Sequence, residues 1–528
     1  MLVRIHSATT FGIDARILDI EVDVSPGLPS FTMVGLPDPG VREARDRVRA
    51  ALRNGGYPSP RGSITVNLAP AAFRKAGAAL DLPLAVAFLE VAGLAPPARA
   101  RCVFVGELGL NGEVRPTRGA LCLALAARDA GFEELFLPES NASEAAAVEG
   151  IRVIPVGSLA ATVGHLSGRN PIPAARPARP RKRAHADGQG PGDFSDVHGQ
   201  SVARRAMEIA AAGGHHVLLT GSPGSGKTML ARRLPTVLPP LTRAESIDVT
   251  KVHSIAGTLP GGSGLIAEPP FRAPHNGISA AGLIGGGTRP GPGEISLAHR
   301  GVLFLDELAE FRRDVLEGIR QPLEERCVCV VRVGGACIFP SDFLLVAAMN
   351  PCPCGFAGDA RRMCRCTEGE RLRYGRRISG PLLDRIDLHV AVPAVPWADL
   401  ERPAASEPSA PIRLRVENAR RVASERFPKR PGFRNADLAA RDFERFLLLE
   451  PAARALLAAA VERMRLSVRA AHRSLRVART VADLAGSEIV AREHLAEAIG
   501  YRNRSFGQDA GQDAGQVDRV TLAPIRSP

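Results

Sequence analysis

One run of this 528-residue chain has the residue types and order that hold a polyphosphate: Gly221-Ser222-Pro223-Gly224-Ser225-Gly226-Lys227-Thr228. Glycines let successive backbone N–H groups curl around phosphate oxygens, and the positive end of a following helix adds to their pull. In that frame Lys227 reaches the β- and γ-phosphates and the Thr228 hydroxyl ligates Mg²⁺. Downstream, the apolar run Gly301-Val302-Leu303-Phe304-Leu305 ends in two carboxylates, Asp306 and Glu307. Asp306 suits the Mg²⁺ shell. Glu307 suits polarising a water for attack on the terminal phosphate, because phosphoryl transfer rests on positioning and charge stabilisation. A third apolar run, from Phe343 to Met349, ends at Asn350, whose amide suits orienting the same water. The chemistry expected is ATP hydrolysis with Mg²⁺.

These groups need elements that bring them together. His216-Val217-Leu218-Leu219-Thr220 reads as a short buried strand, and Met229-Leu230-Ala231-Arg232-Arg233-Leu234 as a helix, so the glycine loop has the strand–loop–helix context it requires. Alone, the acidic pair would be a solvated strand end and Asn350 an ordinary turn residue; the loop upstream gives both a task. A chain of this length exceeds one hydrophobic core. Residues 1–165 alternate β-rich runs with helical stretches and read as an α/β or α+β domain. Residues 166–195 are a basic Pro/Arg-rich linker, read as a solvated tether or as a phosphate contact. Residues 196–395 are the P-loop core, 396–506 an Ala/Arg/Leu-rich helical domain, and 507–528 a disordered polar tail repeating Gly-Gln-Asp-Ala.

Lysine and arginine total 68 against 55 acidic residues, a net charge of +13 that favours an anionic partner such as nucleic acid, although codon bias towards arginine would raise it as well. The start lacks a basic region followed by an apolar one, and no run is long enough to span a membrane, so a soluble, cytoplasmic protein is expected. Nine cysteines, four of them clustered at Cys352, Cys354, Cys364 and Cys366, fit a reducing compartment better than a disulfide scaffold. Two readings of the cluster stay open. Four thiolates suit tetrahedral Zn²⁺, but the Cys-x-Cys pairs are tighter than the usual spacing, and reduced structural cysteines fit too.

The chain resembles the magnesium chelatase-like branch of AAA+ ATPases, and most closely the YifB/ComM family. The segments that carry the likeness are Pro270-Phe271-Arg272-Ala273-Pro274-His275, the run from Gly293 to Leu308, Asn350-Pro351-Cys352-Pro353-Cys354-Gly355, and the run from Ser379 to Leu388. The resemblance implies a P-loop AAA+ core with a C-terminal helical lid and an N-terminal Lon-protease-like (S5-like) α+β domain. It also implies a homohexamer in which Arg385 reaches a neighbour's γ-phosphate as an arginine finger, and a second sensor at Arg469, with Arg473 and Arg476 as competitors. The Lon likeness rests on the runs from Lys75 to Pro83 and from Gly106 to Pro116. The expected Ser position falls on Ala78-Ala79-Leu80 and the Lys position near Leu121, so proteolysis is not expected. The insert before Asp306 makes Arg272, His275 and Lys251 candidates for DNA phosphate contacts, against the alternative that the segment packs on its own subunit. The function implied is a DNA motor, a branch-migration helicase acting on single-stranded or branched DNA in natural transformation and homologous recombination, with recombination proteins as partners. The alternative is an ATPase that remodels a protein, as in magnesium chelatase.

Overall fold

A computed structural model of the chain describes residues 1–58, 62–71, 75, 77, 79–97, 101–178, 192–287, 290–332, 335–359, 361–395, 401, 406–430 and 432–502. The tail at 507–528, the centre of the linker at 179–191 and Ala78 lie outside them. The architecture is mixed α/β and contains two principal sheets.

The first is a seven-stranded sheet in the order Ser30–Val34, Ser63–Ala69, Asp14–Ser25, Leu2–Phe11, Cys102–Phe104, Glu134–Pro138, Arg152–Val156. Leu2–Phe11 and Asp14–Ser25 pair antiparallel, while the last three strands run parallel. Because side chains alternate faces along a strand, Ile5, Ile20 and Leu18 join one apolar cluster while Ala8 and Ile17 join another. Helix Asp81–Val91, apolar nearly all round, is buried in the first cluster, and helix Ala120–Asp129 supplies Leu121, Leu123 and Ala124 to the second. Leu121 is a fully buried core residue.

The second sheet is wholly parallel, in the order Phe271–Arg272, Val302–Leu305, Leu344–Met349, Val217–Thr220, Leu388–Ala391. Val302–Leu305 and Leu344–Met349 are apolar and buried at every position, the composition of a parallel sheet covered on both faces. Parallel strands share one carboxyl edge. Thr220 is in register with Met349, and Leu305 with Ala347, so the loop after Thr220, Asn350 and the Asp306-Glu307 pair emerge side by side from three adjacent strands.

Helices Ser409–Arg426, Pro451–Arg463, Val468–Leu484 and Arg492–Gly500 follow, and their apolar faces share one cluster with helix Ser201–Gly213 and the P-loop strand. Buried polar contacts fix the junction. His215 bonds Thr480 at 2.7 Å and Asp387 at 3.3 Å, and Arg473 bonds Asp387 at 2.6 Å.

The N-terminal sheet docks on the core through helix Arg243–Ala256, which packs against helix Ala120–Asp129. The Glu144 carboxylate accepts hydrogen bonds from the Ser254 hydroxyl at 2.7 Å and the Leu121 N–H at 3.1 Å. Burial raises its pKa, the two donors opposing. Lys251 pairs with Asp14 at 2.8 Å, and Arg272 grips Glu294 through two bonds of 2.6 Å. Lys251 and Arg272 are therefore paired within the chain, and His275 Nδ1 accepts the Gly277 N–H at 3.0 Å. Among the described residues no helix is long and apolar enough to cross a membrane.

Candidate active site

The glycine loop has the shape its sequence demands. A Cβ on Gly221 would lie 2.1 Å from the Val392 carbonyl oxygen, so nothing larger fits there. Gly224 and Gly226 hold φ of 76° and 92°, a left-handed backbone that glycine adopts without strain, and Gly226 leads into helix Lys227–Arg233. Lys227 folds back over the loop. Its Nζ donates to the Gly221 carbonyl at 2.7 Å, the Ser222 carbonyl at 2.9 Å and Asn350 Oδ1 at 3.3 Å. Burial lowers the pKa of this ammonium, and the Asp306 carboxylate opposes the shift. The Ser225 hydroxyl is buried without a partner inside the same turn.

Thr228 Oγ1 donates to Asp306 Oδ2 at 2.7 Å. A hydroxyl and a carboxylate meeting at one sheet edge are the hard oxygen donors that Mg²⁺ takes alongside substrate phosphates. The donor set thus fits the cation, and the loop with Lys227 fits the polyphosphate beside it. Asp306 also accepts the Glu307 N–H at 2.9 Å, and Glu307 turns left-handed at φ 52°, an unusual conformation for a side chain of this size. The Glu307 side chain is exposed at the strand end.

Asn276 was not legible as a site residue, yet its Nδ2 donates to Glu307 Oε2 at 3.0 Å. It lies four positions beyond Arg272, whose strand pairs with the one that carries Asp306. The only sequence signal is a polar residue just past a neighbouring strand, which means nothing until the strand order is known.

Arg385 lies away from this cluster in its hydrogen bonding: it donates to the Pro381 carbonyl at 2.6 Å and pairs with Glu324 at 2.5 Å. Arg469 is exposed in the first turn of helix Val468–Leu484. Arg473, on the same helix, bonds the Arg385 carbonyl at 2.8 Å and Asp387 at 2.6 Å, and Arg476 lies 5.9 Å from the Phe443 ring centre. Burial alone would raise the pKa of Asp387, but the His215 hydrogen bond and the Arg473 charge hold it well below the usual carboxylate range. The sulfurs of Cys352, Cys354, Cys364 and Cys366 all lie within 4.8 Å of one another, an arrangement compatible with Zn²⁺.

Comparison with known proteins places the chain. Residues 193–400 match the model described as magnesium chelatase, subunit ChlI; residues 20–141 match subunit ChlI of Mg-chelatase, and residues 406–502 match its C-terminal region. The chain is 42% identical over 505 residues to an uncharacterized protein of Mycobacterium tuberculosis, covering 95% of this chain and 98% of that one. It is 41% identical to competence protein ComM of Haemophilus influenzae over 95% of this chain and 97% of the relative. To protein YifB of Escherichia coli it is 40% identical, over 94% and 96%. With a phosphate loop, an acidic strand end and a polar strand end on adjacent parallel strands, the chain belongs to the YifB/ComM family of magnesium chelatase-like AAA+ ATPases.

Proposed function

We propose that this ATPase is a homohexameric ring motor that couples hydrolysis to movement on single-stranded or branched DNA, a branch-migration helicase serving recombination. The observation that carries the hydrolytic part is the convergence of Lys227, Thr228, Asp306 and Asn350, each within hydrogen-bond reach of another. In this reading the backbone of Gly221, Ser222, Pro223, Gly224, Ser225 and Gly226 wraps the phosphates, and Lys227 swings from its own loop carbonyls to the β/γ-phosphates. Thr228 and Asp306 hold Mg²⁺, which when bound neutralises phosphate charge. Glu307, with Asn350 orienting, takes a proton as the water oxygen attacks the γ-phosphorus; the bond to the bridging oxygen breaks, and ADP and phosphate leave. Arg385 acts in trans, releasing Glu324 to meet the spreading negative charge of a neighbour's transition state. The C-terminal helices act as a lid, with Arg469 as second sensor. The N-terminal domain is a Lon-like scaffold without proteolytic groups.

Two observations support DNA as the track. The chain carries a net +13. A cleft of about 510 Å³ beside the acidic strand end is lined by Arg313, Arg373, Arg376 and Arg377, with Glu310 pairing Arg377 at 2.8 Å. Such a cluster binds phosphate backbones without reading sequence. A relative that bears the name competence protein fits the same reading. The second reading, remodelling of a protein partner, draws on the magnesium chelatase description of the matched models.

The test is ATP hydrolysis alone, with single-stranded DNA, with a four-way junction and with protoporphyrin, while strand release from the junction is followed. DNA stimulation with ATP-dependent junction resolution supports the motor. Hydrolysis indifferent to every DNA contradicts it and favours protein remodelling.

A further inference from the structure

The four cysteines do more than cluster. Sγ of Cys352 lies 3.4 Å from that of Cys354 and 3.6 Å from that of Cys364, and Cys354 and Cys364 are also 3.6 Å apart. A zinc–sulfur bond of about 2.3 Å gives a tetrahedral ZnS₄ site edges of about 3.8 Å, whereas a disulfide needs about 2.05 Å. Three of the sulfurs therefore stand close to the edge length of such a site and not at bonding distance, and the Cys366 sulfur lies within 4.8 Å of each of them. Backbone donors point at them as they do at metal-bound thiolates. The Ala357 N–H faces Cys352 at 3.3 Å, the Cys354 N–H faces Cys366 at 3.4 Å, and the N–H groups of Phe356 and Arg365 face Cys354.

The cluster is also placed where it matters. Cys352 follows Asn350 by two residues and is fully buried. Gly355, at φ 85°, packs so closely on the P-loop that an added Cβ would lie 2.7 Å from Pro223 Cδ. The Asp359 carboxylate, in the same cysteine loop, accepts a hydrogen bond from Ser222, and the Tyr374 hydroxyl bonds the Asn350 backbone. The cysteine loop thus touches the phosphate cradle and, through Gly355, where an added Cβ would lie 3.9 Å from Asn350 Cγ, the residue that bonds Lys227, while the helix Glu368–Gly375 after it supplies Tyr374.

We propose that Cys352, Cys354, Cys364 and Cys366 bind one structural Zn²⁺ that staples the Asn350 loop beneath the P-loop and so fixes the geometry of the hydrolytic site. Binding releases the thiol protons as zinc–sulfur bonds form, with no change in oxidation state. The ion has no open position and does not touch substrate; it is a positioning element. Its effect on turnover rests on the hydrolytic reading above, while its existence does not.

The experiment separates the two. Full-length protein, purified without added metal, is assayed for zinc by mass spectrometry, and then exchanged with Co²⁺ and read for sulfur-to-cobalt charge-transfer absorption. One zinc per chain and a four-thiolate cobalt spectrum, both lost in Cys364→Ser, are expected. Folded, ATP-binding protein that holds no zinc and gives no thiolate band with Co²⁺ overturns the site, whatever its ATPase activity. For the positioning role, kcat should fall on the order of 100-fold in Cys364→Ser, with a smaller change in KM for ATP, since displacements near 1 Å cost that much. Cys364→His keeps a zinc ligand and should recover most of the rate. Wild-type kcat in a metal-free Cys364→Ser chain overturns the staple. If Cys364→Ser does not fold, Cys364→His decides: zinc retained with near-normal turnover supports the staple, and normal turnover without zinc overturns it.

Discussion

The N-terminal domain and the P-loop core both cluster charged and polar side chains, and they use them differently. In the N-terminal domain Asp81, wholly buried, takes two bonds from Arg47 at 2.7 and 2.9 Å and one from the Leu108 N–H at 3.2 Å. Glu144 is likewise filled by Leu121 and Ser254. These carboxylates hold elements of the fold to one another. In the core, Lys227, Thr228, Asp306, Asn350 and Glu307 bond mainly to each other and to the loop they stand in, at the open edge of the sheet. The same residue types make architecture where their partners belong to separate elements and a reaction site where they converge beside a loop shaped for another molecule. The difference yields predictions: changes in the core should remove turnover and spare folding, and changes in the N-terminal domain should do the reverse.

The largest effect belongs to Lys227→Ala, which should abolish nucleotide-dependent assembly and lower hydrolysis by on the order of 10³-fold or more while thermal stability stays near wild type. Sedimentation with and without ATP, alongside phosphate release, reads both. On the proposed trans role of Arg385, Arg385→Ala should cost about 10³-fold in turnover, with part regained on mixing with Glu307→Gln subunits. Failure of the mixture to recover any activity contradicts the trans role. Asp81→Ala strands the Arg47 guanidinium and should cost about 3 kcal/mol in urea unfolding, with kcat per folded chain unchanged. A matching loss of kcat would erase the distinction between the regions.

A pH dependence of stability separates the two regions as well. Burial pushes His216, His253, His299 and His389 down to about 4 each, all of them in the core. The unfolded chain protonates these rings near pH 6.5 and the folded core does not, so the unfolded state gains protons first as pH falls. Core stability is therefore full above about pH 6.5 and lost progressively towards pH 4. Hydrogen exchange at pH 7 and pH 4.5 should show core amides losing protection before those of the seven-stranded sheet.

What the sequence makes legible follows the range of the interactions. The glycine loop, its strand and helix, and the acidic strand end are encoded within a few residues, by backbone freedom and burial, and can be read locally. The strand order that sets Asp306 beside Asn350, and Asn350 beside the loop, is a tertiary fact; only the chemistry of the residues hints at it. Asn276 and the Arg272–Glu294 pair are invisible for the same reason, since their partners are separated from them by 31 and 22 residues. The cysteine spacing leaves metal and structural readings open because Cys-x-Cys alone does not say where the sulfurs point; the inter-sulfur distances do.

The central claim is that the cluster around Lys227 hydrolyses ATP with Glu307 as the group that activates water. The most direct measurement compares wild type and Glu307→Gln for equilibrium ATP binding and steady-state phosphate release on the same preparations. The account predicts ATP affinity within a few-fold of wild type and turnover lower by about 10²–10⁴-fold. Phosphate release by Glu307→Gln at the wild-type rate would contradict it, and the water-activating group would have to be sought elsewhere on the sheet edge.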